Sequence, residues 1–143
     1  MVEKPTAIVA LKPPMKPLTK KFDIHEPVFR SCATIIVGWE WERLKKWLNK
    51  YQHKDESPID DFHKFADGIQ FSIKTKSGDM SYVIYLKRFI YMAKDLGILS
   101  HELNHLIFRI LTSKQIPIRD ENDEVFCYLQ EFYLREITKK LLK

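Results

Sequence analysis

The segment that most constrains this 143-residue chain is Leu99-Ser100-His101-Glu102-Leu103-Asn104-His105. It sets the pattern H-E-x-x-H inside a run whose apolar residues recur at threes and fours: Leu96, Leu99, Leu103, Leu106, Ile107 and Ile110. That spacing predicts a helix with one broad apolar face, beginning near Lys94 or Asp95, where Asp95 can cap it, and reaching about Thr112. Residues i and i+4 of a helix lie one turn apart, so His101 and His105 can aim both imidazoles at one ion. Glu102 projects from the edge of that face, where it can hold a metal-bound water and take its proton without ligating the metal. Ile98, His101, His105 and Phe108 make a second face, turned towards this site. With both faces occupied, the helix is expected to be central to the fold. Two histidines and a glutamate buried on it would cost free energy unless paired, which favours a site over an accident of sequence.

Two histidines leave a catalytic zinc one protein ligand short. After a turn containing Pro117 the chain offers Asp120, Glu121, Asp123 and Glu124, with 18 residues between His105 and Glu124. The pattern from about Asn122 to Leu142 predicts a second helix, with Val125, Leu129, Phe132, Ile137 and Leu141 as its core face. Glu124 would follow a cap at Asn122 or Asp120, in a first turn that favours a carboxylate electrostatically. Glu131 is a rival, but it stands two turns into the helix, where pairing with Arg135 is its ordinary role.

His101-Glu102-Leu103-Asn104-His105 followed by Glu124 on a second helix resembles the zincin metallopeptidases of the H-E-x-x-H…E group, the gluzincins. The small size and the run Glu124–Phe132 are also similar to metallopeptidases encoded by bacteriophages and prophages. The resemblance spans roughly residues 28–137, and its specific part is the two helices. It implies a Zn2+ ion held by His101, His105 and Glu124, Glu102 as general base, and a peptide or protein substrate. It implies an α+β, minimal zincin-like domain: a small twisted sheet of three or four strands on the long H-E-x-x-H helix, with a C-terminal ligand helix. Zincins lay substrate along an edge strand, and the resemblance suggests residues 80–86 for that part. The chain departs from the larger gluzincins one turn after the third ligand, where Tyr128 replaces an acid that braces a histidine. Tyr128 and His63 are both candidates to stabilise an oxyanion. A phage-encoded enzyme in the cytoplasm of a bacterial host is the implied setting. The alternative is a virion-associated binding or structural protein that keeps a zinc site without turnover.

Elsewhere the chain reads as one domain with an appendage. Residues 1–21 carry Pro5, Pro13, Pro14 and Pro17 among five lysines and one glutamate, a basic arm whose Ala7–Leu11 could add an edge strand. Residues 22–143 hold 19 Lys/Arg against 18 Asp/Glu, so the domain gives no general argument for nucleic acid. Cys32 and Cys127 lie in separate apolar stretches and are expected as buried, reduced thiols. No signal peptide opens the chain and no apolar run is long enough to span a bilayer, so neither secretion by the usual route nor a membrane role is expected. Val28–Val37 is β-branched and reads as a strand; Trp39–Tyr51 has helical spacing through Trp41, Leu44, Trp47 and Leu48. A loop with His53, His63 and a short helix around Asp60–Ala66 leads to two strands, 69–74 and 80–86, joined at Ser77-Gly78-Asp79 as a hairpin.

Assignment of the third ligand is testable by metal titration of three variants. Glu124→Ala should weaken zinc binding by at least about tenfold, while Glu121→Ala and Glu131→Ala leave it largely intact. Release of zinc by Glu131→Ala alone would mean a ligand helix docked two turns away from this register.

Overall fold

The computed structural model describes residues 18–143. The greater part of the basic arm, with Ala7–Leu11, lies outside the described residues. The elements are β1 (Lys20–Glu26), β2 (Ser31–Val37), α1 (Trp41–Tyr51), β3 (Gly68–Lys74), β4 (Met80–Leu86), α2 (Ala93–Ser113) and α3 (Asp123–Leu141), with a 3-10 turn at Asp120–Asn122 before α3. The class is α+β, built on one mixed four-stranded sheet.

Strand order is β1-β2-β4-β3. β1 runs antiparallel to β2 with Phe22 opposite Ile35, β2 parallel to β4 with Ile35 opposite Ile84, and β3 antiparallel to β4 with Phe71 opposite Val83. The two central strands alternate between two apolar neighbourhoods. Ala33, Ile35, Val37, Ile84 and Leu86 pack with Leu99, Leu103, Leu106 and Ile107 of α2 and with Leu129, Tyr133 and Ile137 of α3. Ile36, Val83 and Tyr85 face the other way, against Trp41, Leu44 and Leu48 of α1. The sheet is therefore covered on both faces, which is why the central strands read as nearly unbroken apolar runs. The helix α1 forms a third layer that the expected sheet-on-helix arrangement lacked.

Several expectations change at element ends. β1 starts at Lys20, inside the segment assigned to the arm. Its charged residues alternate with Phe22 and Ile24, and the Lys20 ammonium donates to the carbonyls of Lys140 (2.7 Å) and Lys143 (2.9 Å), a cation at the C-terminal end of α3. Asp95 does fasten the start of α2. Its Oδ2 accepts from the amides of Ile90 (2.8 Å) and Met92 (3.2 Å), just ahead of the helix. Asn122 stands at the N-cap of α3 as expected, but its side chain bonds none of the helix's free amides and its amide donates to Pro117 O instead. The short helix around 60–66 is absent, replaced by tight turns that Asp61 clamps onto α1 by accepting from Trp41 Nε1 (2.9 Å) and Lys45 Nζ (2.8 Å). Cys32 and Cys127 are free thiols, as expected, but both are exposed. Among the described residues no helix is long and apolar enough to cross a membrane.

One buried acid fixes the corner where β1 turns into β2. Glu26 is 1% exposed and ends β1 pointing inward. Its carboxylate accepts from the amides of Val28 (2.6 Å) and Phe29 (3.0 Å), from Ser31 Oγ (2.9 Å) and from Tyr128 OH (3.0 Å). Having donated to Glu26, Ser31 Oγ accepts from Tyr133 OH at 2.7 Å. Burial raises the pKa of Tyr133 well above the usual phenol value, and it remains the donor. Hydrogen bonds to a charged group stabilise by about 1.5–3 kcal/mol each, and neutral ones by about 1 kcal/mol. Glu26→Ala should therefore lower unfolding free energy by roughly 3 kcal/mol and Tyr133→Phe by roughly 1 kcal/mol, read from urea midpoints. Equal effects from the two variants would mean that the carboxylate is not the centre of the network.

Candidate metal centre

The helix α2 brings His101 and His105 together on its solvent side. Their Nε2 atoms are 3.2 Å apart and their rings nearly perpendicular, at 80°. A tetrahedral zinc with Zn–N bonds of about 2.0–2.1 Å holds two nitrogens about 3.3 Å apart, so the pair fits one edge of such a site. Both histidines are exposed, contrary to the burial expected for them. The cause lies in how α3 docks. Gln130 donates to Asn104 Oδ1 at 3.1 Å and Phe126 packs on Phe108 with centroids 5.6 Å apart, so α3 covers the Asn104/Phe108 side and leaves the histidines open.

Glu102 is the buried member, at 8% exposure. Its stem faces the start of β3, where a Cβ added to Gly68 would meet Ile98 Cγ2 at 2.6 Å and Glu102 Cγ at 3.2 Å. Strand and helix approach so closely here that only glycine fits. A cavity of about 410 Å³ opens beside them, lined by Asp67, Gly68, Lys94, Ile98, His101 and Glu102. Lys94 pairs with Asp67 across its mouth at 3.5 Å. Among the described residues no hydrogen bond or ion pair engages the Glu102 carboxylate. A buried acid without a protein partner, one residue from a converging histidine pair, is equipped to orient a water and accept its proton.

The strand beside this cavity is β3, not β4. Residues 80–86 pair on both sides, with β2 and β3, whereas β3 closes the order; its outer edge meets residues 52–53 at the Lys74 end, where His53 N–H donates to Lys74 O (2.7 Å), and pairs with no other strand from Gly68 to Ser72 among the described residues. Adjacency in sequence to α2 suggested β4; the parallel pairing of β2 with β4 moves β3 outward.

The third ligand is not gathered. Among the described residues no group of three or more His, Cys, Asp or Glu side chains is placed to hold one ion. The helices run antiparallel, with Phe126 level with Phe108 and Gln130 level with Asn104, so Glu124 lies farther along α2 than the His105 level and is exposed. Glu121 pairs with Arg119 (3.7 Å) and Glu131 with Arg135 (3.5 Å), the latter as expected. Tyr128 points its hydroxyl at Glu26, not at the histidines, and partial burial followed by that hydrogen bond raises its pKa. His63 sits on the exposed 61–65 turn, edge-on to Phe62. His53 lies beside Asp55, at 3.5 Å. The residues that sequence reasoning missed are Gly68, Asp67 and Lys94. A glycine opening an alternating strand was the available signal for a close approach.

No family model, curated protein or solved structure matches the chain.

Gly68→Ala should force Ile98 and Glu102 to move, at a cost of about 1–3 kcal/mol in stability, read by thermal or urea unfolding. The geometry of the histidine pair, on the solvent side of α2, should change far less. Unchanged stability would mean that β3 and α2 are not as tightly apposed as these distances state.

Proposed function

We propose that the chain is a zinc-dependent peptide hydrolase of the zincin kind. The observation that carries the reading is the convergence of His101 and His105 at 3.2 Å beside Glu102, whose side chain is largely buried and whose carboxylate opens on the cavity without a protein partner among the described residues. His101 and His105 would hold the ion, and Glu124, in the first turn of α3, is the proposed third ligand from the motif resemblance. Bound zinc would lower the pKa of its water and polarise the scissile carbonyl.

The remaining chemistry belongs to the chain. Glu102 takes a proton on its carboxylate and delivers it to the leaving nitrogen. Among the described residues no lysine or arginine pairs with it. From Gly68 to Ser72 the outer edge of β3 pairs with no other strand among the described residues, and an extended peptide adding there as a further strand would run past Gly68 into the cavity at Glu102. The bare backbone of Gly68 lets that strand lie close to the acid.

The alternative reading is a binding or structural protein that keeps zinc without turnover. One set of measurements separates the two. Purified protein should hold close to one zinc per chain and lose it in His101→Ala or His105→Ala. Glu102→Gln should keep zinc and the fold but lose cleavage of a peptide library by about 100-fold or more. Zinc uptake with no cleavage by the unmodified protein supports the second reading, and failure to bind any transition metal removes both.

A further inference from the structure

Across the sheet from the histidines, aromatic rings on and just before α1 run from the core out to the surface. Trp41, Leu44 and Leu48 are its buried side chains. Trp47 and Tyr51, one turn apart on its flank, are stacked with centroids 4.8 Å apart and planes within 12°. Trp39 meets Trp47 edge-on at 6.2 Å. Cations are interleaved with these rings: Arg43 lies 3.9 Å over Trp39 and Lys21 lies 5.2 Å over Trp47. The stack ends in an open cavity of about 640 Å³, to which Lys50, Thr75, Lys76 and Met80 also contribute. Asp79 is the one acid on its wall, and it accepts a hydrogen bond from Ser77. Tyr51 is 38% exposed there. Among the described residues Lys21, Arg43, Lys50 and Lys76 form no ion pair.

We propose that this face binds single-stranded nucleic acid, with a base stacking on the Tyr51–Trp47 pair and phosphates held by Lys21, Lys50 and Lys76. A flat aromatic platform bordered by unpaired cations matches both halves of such a ligand, the π-face of a base and the charge of its backbone. A duplex keeps its base faces stacked inside and has none to offer. An acidic polypeptide would use the lysines and leave the rings idle. The site stands on its own residues and does not depend on the histidine pair.

The test is fluorescence anisotropy of the full chain with a labelled oligothymidylate of about 20 nucleotides at about 50 mM salt, using exposed positions so that folding is kept, as checked by circular dichroism. Tyr51→Ala should weaken binding at least about fivefold and Tyr51→Phe should restore it, because stacking needs the ring and not the hydroxyl. Lys50→Glu with Lys76→Glu should weaken it at least about tenfold and flatten the logarithmic salt dependence by about 0.7 for each phosphate no longer neutralised. Absence of binding overturns the proposal. So does binding that survives both sets of changes, which would assign it to Lys4, Lys12 and Lys16 of the arm. A duplex bound as tightly, or polyglutamate bound as tightly with no effect of Tyr51→Ala, also overturns it.

Discussion

The interaction on which the rest of the structure depends is the enclosure of the Glu26 carboxylate. A charge this deeply buried is tolerated only when its oxygens are supplied with donors. The amides of Val28 and Phe29, the hydroxyl of Ser31 and the phenol of Tyr128 provide them. Two come from the turn itself, and Tyr128 comes from the helix packed over it. The corner between β1 and β2 and the flank of α3 are therefore one unit, and Tyr133, buried farther along the same helix, ties into it through Ser31. α3 cannot slide along the sheet without stripping the Tyr128 donor from a buried anion. Its docking in turn sets which side of α2 is covered. The histidine pair is open to solvent because α3 lies along Asn104 and Phe108 instead.

Around that frame the two faces of the sheet are used differently. On the α2 side, chemistry is concentrated where β3 passes the helix at Gly68, with one buried acid, two converging imidazoles and the Lys94–Asp67 pair at the rim. On the α1 side, the surface is an aromatic stack interleaved with cations. The nearly balanced charge of the domain conceals this, because a net sum says nothing about segregation. Glu131, Glu136 and Arg135 lie together on α3, while the cations around Trp47 are unpaired among the described residues.

What can be read from the sequence divides along physical lines. Periodicity locates α1, β3, β4, α2 and α3 to within a few residues, since each buries one face and the spacing records it. Asp95 is identifiable as a fastening for α2 because its donors are local. Everything that depends on pairing between distant segments is less visible. β1, which straddles the end of the arm, goes unread because its inward positions end in Glu26, an acid that becomes acceptable inside only once Tyr128 and Ser31 meet it. Sequence order points to β4 as the edge strand because it conceals a parallel pairing with β2. The short helix at 60–66 gives way because Asp61 finds Trp41 and Lys45 on another element. The histidine pair needs only the i, i+4 rule. The ligand that would complete it depends on how two helices dock, which no local pattern encodes.

The free edge of β3 has a consequence beyond any single chain. Short of Lys74, whose carbonyl His53 engages, the edge from Gly68 to Ser72 can recognise main chain of any sequence, including the same strand of a second molecule. Lys74 and Ser72, exposed along β3, and the glycine at its start oppose a flat, continuous pairing of two copies, but they do not abolish it. Self-association through this edge would rise with concentration and would shield the cavity beside Glu102 from anything else that binds as a strand.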